Sequence, residues 1–276
     1  MSMTGGGEWR GRVGESWASE WRRTDRSFGN LTAQLLDRVR ELSFRRVLDV
    51  GCGAGELSLA IARANPACDV TGLDISPALL QAARERGANL PNVEFLLDDA
   101  ATWRPDPAKR PDLVLSRHGV MFFDDPPSAF ANLAGAAADD GQLLFSCFRG
   151  RRENPFFTEI ARLLSEPAEA PDPRAPGPFA FADPDRVKAI LAEGGWTDVE
   201  FERFDFAMIG GAGEDPVEDA LHYFATIGPA AAAAREMDLG QRERFYDRVR
   251  HMAADNERDG IVSLRASTWI VSSRKA

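Results

Sequence analysis

The chain has 276 residues, 44% hydrophobic and 28% charged, which is enough apolar material to bury a sizeable core in an ordinary globular protein. Its formal charge of -10 runs against a nucleic-acid partner, whose phosphates bind clustered Lys and Arg, and Arg45-Arg46 and Arg151-Arg152 are too short to form a basic tract. Cys52, Cys68 and Cys147 form no C-x-x-C pair and leave one thiol over, so neither a disulfide framework nor a zinc site is expected; with no apolar stretch suited to a signal peptide or a membrane span, the expected compartment is the cytoplasm.

Residues 1–29 read as an N-terminal cap segment, with Trp17, Trp21 and Arg26 placed either to close over a ligand or to form an exposed interaction helix. In residues 30–42, Leu31, Leu35, Val39 and Leu42 share one helical face, and Asn30 stands where an N-cap is wanted. RRVLDVG is an aliphatic and β-branched run ending in glycine, the pattern of a buried parallel strand that turns at once. A helix follows and is stopped by Pro66; CDVTGLD is a second strand, and SPALLQAARERGAN is a helix with Ser76 as N-cap and Pro77 at its first position. VEFLLDDA, DLVLSRHG and QLLFSCF supply three more strands, the last two separated by the helical pattern DPPSAFANLAGAAADDG. Strands alternating with helices imply a parallel sheet covered on both faces.

After Phe148 a short helix is expected from Pro155 to about Leu164, followed by a loop through the proline-rich EPAEAPDPRAPGP, where proline has no N–H to give a ladder. DPDRVKAILAEGGW reads as a capped helix, VEFERFDFAMIG as a sixth strand and SLRASTWIVSS as a seventh. The core then comprises residues 30–213 and 259–276, and residues 214–258 form a helical insertion outside the sheet, suited to a lid.

VLDVGCGAGE places G-x-G-x-G directly after the first strand, where Gly51 and Gly53 allow a tight turn and close approach of backbone N–H groups to a ligand. A dinucleotide loop, G-x-G-x-x-G, would need glycine where Glu56 stands, and a carboxylate beside a pyrophosphate is repelled. Asp74 ends the second strand at the distance past the glycines where a carboxylate can accept both hydroxyls of a ribose. Asp98, Asp99 and Ala100 end the third strand at the same edge, where a carboxylate can accept from an adenine amine; Asp98 reads as a solvated or capping neighbour of Asp99.

With these motifs in this order, VLDVGCGAGE, VTGLDIS, LLDDA and DLVLS, the chain resembles the class I S-adenosylmethionine-dependent methyltransferases of small molecules. The resemblance implies an α/β, Rossmann-like, seven-stranded and mostly parallel sheet with an antiparallel last strand, helices on both faces, and a helical lid insertion. It also implies S-adenosylmethionine as cofactor, with Asp49 and the backbone of Gly51, Cys52 and Gly53 at its methionine part, Asp74 and Ile75 at the ribose, Asp99 and Ala100 at the adenine, and the Ser116 carbonyl at the ammonium. Arg26 would pair with the cofactor carboxylate. Cys52 is a small residue tolerated in the loop rather than a nucleophile, because nothing beside it favours a thiolate.

Methyl transfer needs alignment with the sulfonium, and an acceptor hydroxyl or ammonium also needs a base. His118, just past Ser116, is the candidate catalytic base, whereas His222 and His251 fall in the insertion. In relatives sharing SRxGVMFF and ENPFF the position of His118 is commonly aromatic, so the alternative is a flat ring packed beside the methyl donor. Asp124 and Asp125 invite a metal, but Asp125 before Pro126 and Pro127 is the pattern of a helix N-cap and no metal is expected. Met121, Phe122, Phe123, Phe148, Phe156, Phe157, Phe179 and Phe181 are core or acceptor-pocket residues, and His222 and Tyr223 are lid candidates.

The expected function is therefore methyl transfer from S-adenosylmethionine to O, N or C of a small, partly apolar acceptor, with no nucleic-acid or membrane partner and with homo-oligomers possible. A non-methylating S-adenosylmethionine-binding module and an NAD(P)-dependent oxidoreductase are the alternatives, the second disfavoured by Glu56.

Overall fold

Four helices precede the sheet in the computed structural model, which describes residues 6–164, 172, 174–228 and 230–276: α1 (Gly6–Arg10), α2 (Arg12–Ser19), α3 (Trp21–Ser27) and α4 (Gly29–Arg40). The chain then alternates through β1 (Arg46–Val50), α5 (Glu56–Ala64), β2 (Asp69–Asp74), α6 (Pro77–Gly87), β3 (Val93–Leu97), β4 (Leu113–Arg117), α7 (Pro126–Ala136) and β5 (Gln142–Phe148). It continues through α8 (Pro155–Arg162), α9 (Pro184–Glu193), β6 (Trp196–Ala212), α10 (Pro216–Thr226), α11 (Ala231–Glu236), α12 (Leu239–Asp255), β7 (Glu257–Arg258) and β8 (Ile261–Lys275).

The strands form one sheet in the order β3-β2-β1-β4-β5-β8-β6, with β7 paired to β8 outside that path. The pairs among β1 to β5 are parallel, and β8 lies antiparallel between β5 and β6. Because β2 and β3 lie on one side of β1 and β4 on the other, the strand order reverses between β1 and β4, and folds of this kind bind ligands at the carboxyl ends of the strands beside such a reversal. The central strands are buried on both faces, as their unbroken apolar runs require: Val47, Leu48 and Val50 of β1 and Leu113, Val114 and Leu115 of β4 are each no more than 2% exposed.

Helix starts follow a recurrent chemistry, an Asp or Ser cap followed by proline. Ser76, Asp125, Asp183 and Asp215 each accept a first-turn N–H, and proline at the next position lacks the donor that the cap would otherwise have to satisfy. Asn30 does not cap α4: the helix begins at Gly29, almost continuous with α3, and Asn30 Nδ2 instead donates to Ala207 O at 3.3 Å.

The described residues hold eight strands rather than the expected seven. The extra one, β7, has two residues and folds back on β8 through Asp259 and Gly260, both at positive φ; so short a strand leaves no alternation to read. The last two long strands also extend beyond their expected bounds, with irregularities at Thr197/Glu200 and Ile209/Gly211. The proline-rich loop expected over 166–178 lies mostly outside the described residues. The helices of the insertion pack outside the sheet, α10 against β6 and α12.

Asn154 ties the turn after β5 to the C-terminal strand. Fully buried, it donates to Arg149 O, Gly150 O and Ser267 O (3.2, 3.2 and 3.1 Å) and accepts from Ser267 N at 2.8 Å. Asn154→Ala removes these contacts, although Gly150 O and Ser267 O keep the N–H groups of Glu153 and Arg149, and should lower stability by about 1–3 kcal/mol, read as a lower urea midpoint at unchanged slope.

Candidate functional site

The glycine loop after β1 meets the loop after β4 backbone to backbone. Gly51 has φ +66°, and a Cβ there would stand 2.9 Å from Gly119 Cα, while one on Gly119 would stand 2.5 Å from Val50 O. Only two glycines permit this approach, which brings Ser116 and His118 to the loop. The fully buried Ser116 hydroxyl donates to Val50 O (2.7 Å) and accepts from Gly119 N (3.0 Å), and the β1–β4 pairing ends at Asp49↔Leu115, so Ser116 sits just past it. Gly53 also lies at positive φ, +56°, and nothing stands within 4 Å of its would-be Cβ.

Asp74 at the end of β2 is joined to this loop directly. Its Oδ2 accepts from Gly53 N and its Oδ1 from Ser76 N, each at 2.8 Å. Burial nevertheless pushes its pKa up, against these two N–H groups. Asp49 lies beneath the loop, accepts from Ser58 Oγ at 2.6 Å, and is raised to about 6, burial outweighing the hydroxyl and the nearby Arg117. The Cys52 side chain packs into the apolar cluster of Leu59, Leu80, Ala83 and Phe95, its N–H is taken by Leu73 O (2.9 Å), and burial raises its thiol pKa well above normal; it is no nucleophile.

Ile75 stands under α1, its Cδ1 3.6 Å from where a Cβ on Gly6 would lie. Asp99 is partly exposed, accepts from Ala101 N at 2.9 Å, and has Arg10 of α1 at 3.8 Å. Ala100 is buried, and its carbonyl accepts from Asn132 Nδ2 at 2.9 Å. The ends of β1, β2, β3 and β4 thus converge under the N-terminal helices: Trp9 lies 5.1 Å from the Phe122 ring and 5.4 Å from Trp17, and Gly14 of α2 touches Ser76 at the start of α6.

The strongest charges at this edge come from residues that the motifs do not single out. Arg117 pairs with Glu56, donates to Thr32 Oγ1 (2.7 Å) and lies 3.7 Å from Asp25; Arg86 pairs with Asp25 (2.7 Å) and donates to Ala54 O (2.6 Å). Burial opposes the Arg117 charge, but the Glu56 and Asp25 carboxylates outweigh it and hold the guanidinium ionised. Burial raises Glu56 to about 7, and the Asp25 carboxylate adds to this against the pull of Arg117. The available signal was Arg117 itself, a charge at the end of an apolar strand inside SRHG. Arg26, by contrast, does not face the loop: it pairs with Asp219 at 2.6 Å, as does Arg23 at 2.7 Å, because this face of α3 lies against α10. His222 of α10 pairs with the buried Glu20 at 2.9 Å, so the cap and the insertion are interlocked.

His118 occupies a left-handed backbone position, φ +64°, with its N–H on Ser146 O at 3.2 Å. Its ring stacks on Phe148 (centroids 4.1 Å, planes at 17°), and Phe28 meets it edge-on at 5.4 Å. Burial, reinforced by Arg117, pushes its pKa down to about 3, so the imidazole is neutral at physiological pH. Phe157 and Phe179 extend this wall from Phe148, at 5.1 and 6.2 Å. Phe181 instead fills the core with Phe130 and Phe145, Phe156 packs on Phe224, Phe123 on Phe130, and Met121 is buried. Asp125 caps α7, accepting from Ser128 N and Oγ at 3.3 and 2.6 Å.

A mostly parallel sheet whose strand order reverses beside a glycine loop, with carboxylates at the ends of β2 and just past β3, is a Rossmann-like fold. Residues 47–141 match the methyltransferase domain family. Relatives include a trans-aconitate 2-methyltransferase of Methylobacterium radiotolerans, 40% identical over 40% of this chain and 41% of its own, and one of Variovorax paradoxus, 32% identical over 60% of each. A malonyl-[acyl-carrier protein] O-methyltransferase of Ilyobacter polytropus is 33% identical over 43% of this chain and 42% of its own. The chain thus spans about half the length of the relatives it matches. The YcgJ protein of Bacillus subtilis shares the fold at a TM-score of 0.54 and 17% identity, over 87% of this chain and 97% of that one. Phosphoethanolamine N-methyltransferase 2 of Haemonchus contortus, solved with S-adenosyl-L-methionine, does so at 0.54 and 17%, over 94% of this chain and 56% of that one. Residues 47–141 are thus similar to a methyltransferase domain, and the chain shares its fold with proteins of that kind.

The raised carboxyls give stability a definite pH dependence. A carboxyl whose folded pKa exceeds its unfolded value favours the folded state fully below the unfolded value and loses that contribution as pH rises through the folded one. For Asp49 the window runs from 3.8 to about 6, and for Glu56 from 4.5 to about 7, so without ligand the melting temperature should fall as pH rises from 5 to 8. Arg117→Met removes the cation beside Glu56 and Asp25; its cost, about 3–5 kcal/mol at pH 8, should shrink towards pH 5 in denaturant titrations, where Glu56 is protonated.

Proposed function

We propose that this chain transfers the methyl group of S-adenosylmethionine to a small, partly apolar acceptor. The observation that carries the proposal is the buried Asp74 carboxylate beside the left-handed glycine loop: each oxygen accepts one backbone N–H, leaving acceptor capacity for the two hydroxyls of a ribose. The donor and acceptor chemistry of the remaining residues fits the same group. Open space beside Gly53 admits close approach of the loop, Ile75 and Ala100 offer apolar surface, and Asp99 keeps a partly exposed carboxylate suited to an amine. Asp49 and Asp74 are carboxyls whose charge burial disfavours, so a positively charged ligand relieves both. The Ser116 carbonyl, past the last β1 pairing, is the acceptor for an ammonium.

S-adenosylmethionine supplies an activated methyl group on a positively charged sulfur. The protein has to bind it, align the acceptor and exclude water. Trp9, Trp17 and Phe122 cover the loop side, and the helices α10 to α12, interlocked with the cap through Asp219 and Glu20, act as a lid over residues 6–29. His118 stands on the acceptor side; unprotonated across the physiological range, it is a weak base suited to hydrogen bonding and to receiving a proton only from a strongly acidic group. The relatives named for trans-aconitate and for malonyl-[acyl-carrier protein] support a small or carrier-borne acceptor. The Glu56 carboxyl, paired with Arg117 where a dinucleotide loop carries glycine, disfavours nicotinamide chemistry.

Calorimetric titration should give S-adenosylmethionine binding without NADH binding; the reverse overturns the assignment. Asp74→Ala should weaken binding about tenfold or more through the lost ribose hydrogen bonds. Because a cationic ligand favours ionised Asp49, affinity should rise from pH 5 to pH 7 across the Asp49 pKa of about 6, and Asp49→Asn should flatten that part of the profile. Labelled methyl donor incubated with a metabolite extract should yield a labelled small product; a chain that binds the donor but labels nothing is a binding module instead.

A further inference from the structure

Nε2 of His118 is buried and, among the described residues, has no hydrogen-bond partner, a costly condition for a polar atom just past the end of β4. The ring is not free to turn away. Phe148 stacks on one face at 4.1 Å, Phe28 abuts it at 5.4 Å, the backbone N–H is fixed on Ser146 O, and Nδ1 lies 3.5 Å from Ser146 Oγ. An aromatic side chain would fill the same space without leaving a nitrogen unmatched, so the nitrogen calls for a partner that the described residues do not supply.

The surroundings limit that partner. The wall beside the ring is aromatic, continuing from Phe148 to Phe157 and Phe179. The arginines flanking it from the sheet are already paired: Arg117 with Glu56 and Asp25, and Arg149 with Glu153 and with Asp205 at 3.3 Å. Arg151 has no ion pair among the described residues, but it lies over Phe179 at 5.9 Å, two rings away from His118. A carboxylate against His118 would thus be desolvated without a cation to offset the loss, whereas a hydroxyl both donates and accepts and can pair with either tautomer of a neutral imidazole.

Resting on the methyl-transfer reading above, we infer that His118 is the residue that selects and orients the acceptor, and that the acceptor presents an uncharged hydroxyl on a flat, apolar body, as a phenol or enol does. The ring system packs on the half-buried Phe157 and Phe179, and the hydroxyl pairs with Nε2. This departs from acceptors whose reacting group is a free carboxylate, the chemistry of trans-aconitate.

The test is equilibrium binding of 2-naphthol, naphthalene, 2-naphthoate and trans-aconitate to the full chain saturated with S-adenosylhomocysteine. The hydroxyl should favour 2-naphthol over naphthalene about tenfold, with 2-naphthoate and trans-aconitate weaker than 2-naphthol. His118→Phe should bring the naphthol-to-naphthalene ratio close to one while naphthalene still binds. Because phenylalanine is strained at φ +64°, His118→Asn, which suits a left-handed position and keeps polar atoms, serves as the second variant and should retain part of the preference. Tighter binding of 2-naphthoate or trans-aconitate than of 2-naphthol, absence of 2-naphthol binding, or a ratio unchanged in both variants overturns the inference. None of these readouts requires turnover, so they are distinct from a failure to bind S-adenosylmethionine, which would sink the methyl-transfer reading itself.

Discussion

A guanidinium removed from water must be neutralised where it lies, and Arg117 imposes that requirement on four parts of the chain at once. It ends β4, reaches Glu56 at the start of α5, touches Thr32 of α4 and lies beside Asp25 of α3, which Arg86 of α6 shares. Losing both carboxylates would strand a largely buried charge. The N-terminal helices are therefore held on the sheet edge by electrostatics as well as by the packing of Trp9, Trp17 and Phe122. The same constraint decides which cations remain available for a ligand: at this edge, very few.

Around that cluster the site is acidic and largely buried. Asp49, Asp74 and Glu56 all hold protons more tightly than free carboxyls, each chiefly because burial disfavours the charge. The glycines make the geometry possible, since Gly51 and Gly119 let two loops cross at backbone distance and bring the ends of β1, β2 and β4 to one point. His118 belongs to the same design but faces an aromatic environment rather than an ionic one, which is why its ring is neutral while the carboxyls a few residues away govern the pH response.

Much of the scaffold could be read from residue order. Apolar runs ending in glycine or aspartate gave β1 to β5, and Ser-Pro and Asp-Pro pairs gave the starts of α6, α7 and α9, because strand burial and helix capping depend on neighbours within a few residues. The Asn30 cap failed because α3 and α4 run almost without a break, and β7 escaped notice because two residues carry no periodicity. Arg26 is not legible in the same way, because a basic residue reads the same whether it faces a ligand or Asp219, whose position depends on how a distant helix packs.

The sequence by itself determined the class of sheet, the glycine loop and the acidic residues at the strand ends, since each rests on local chemistry in a motif of fixed spacing. Only the tertiary structure decided that Arg117 rather than Arg26 carries the charge beside the loop, that cap and insertion lock together through Glu20, Asp219 and His222, and that His118 is a neutral ring on Phe148 with one nitrogen unmatched. Those facts depend on which groups far apart in the chain become neighbours, and charge balance and desolvation take their values from those neighbours.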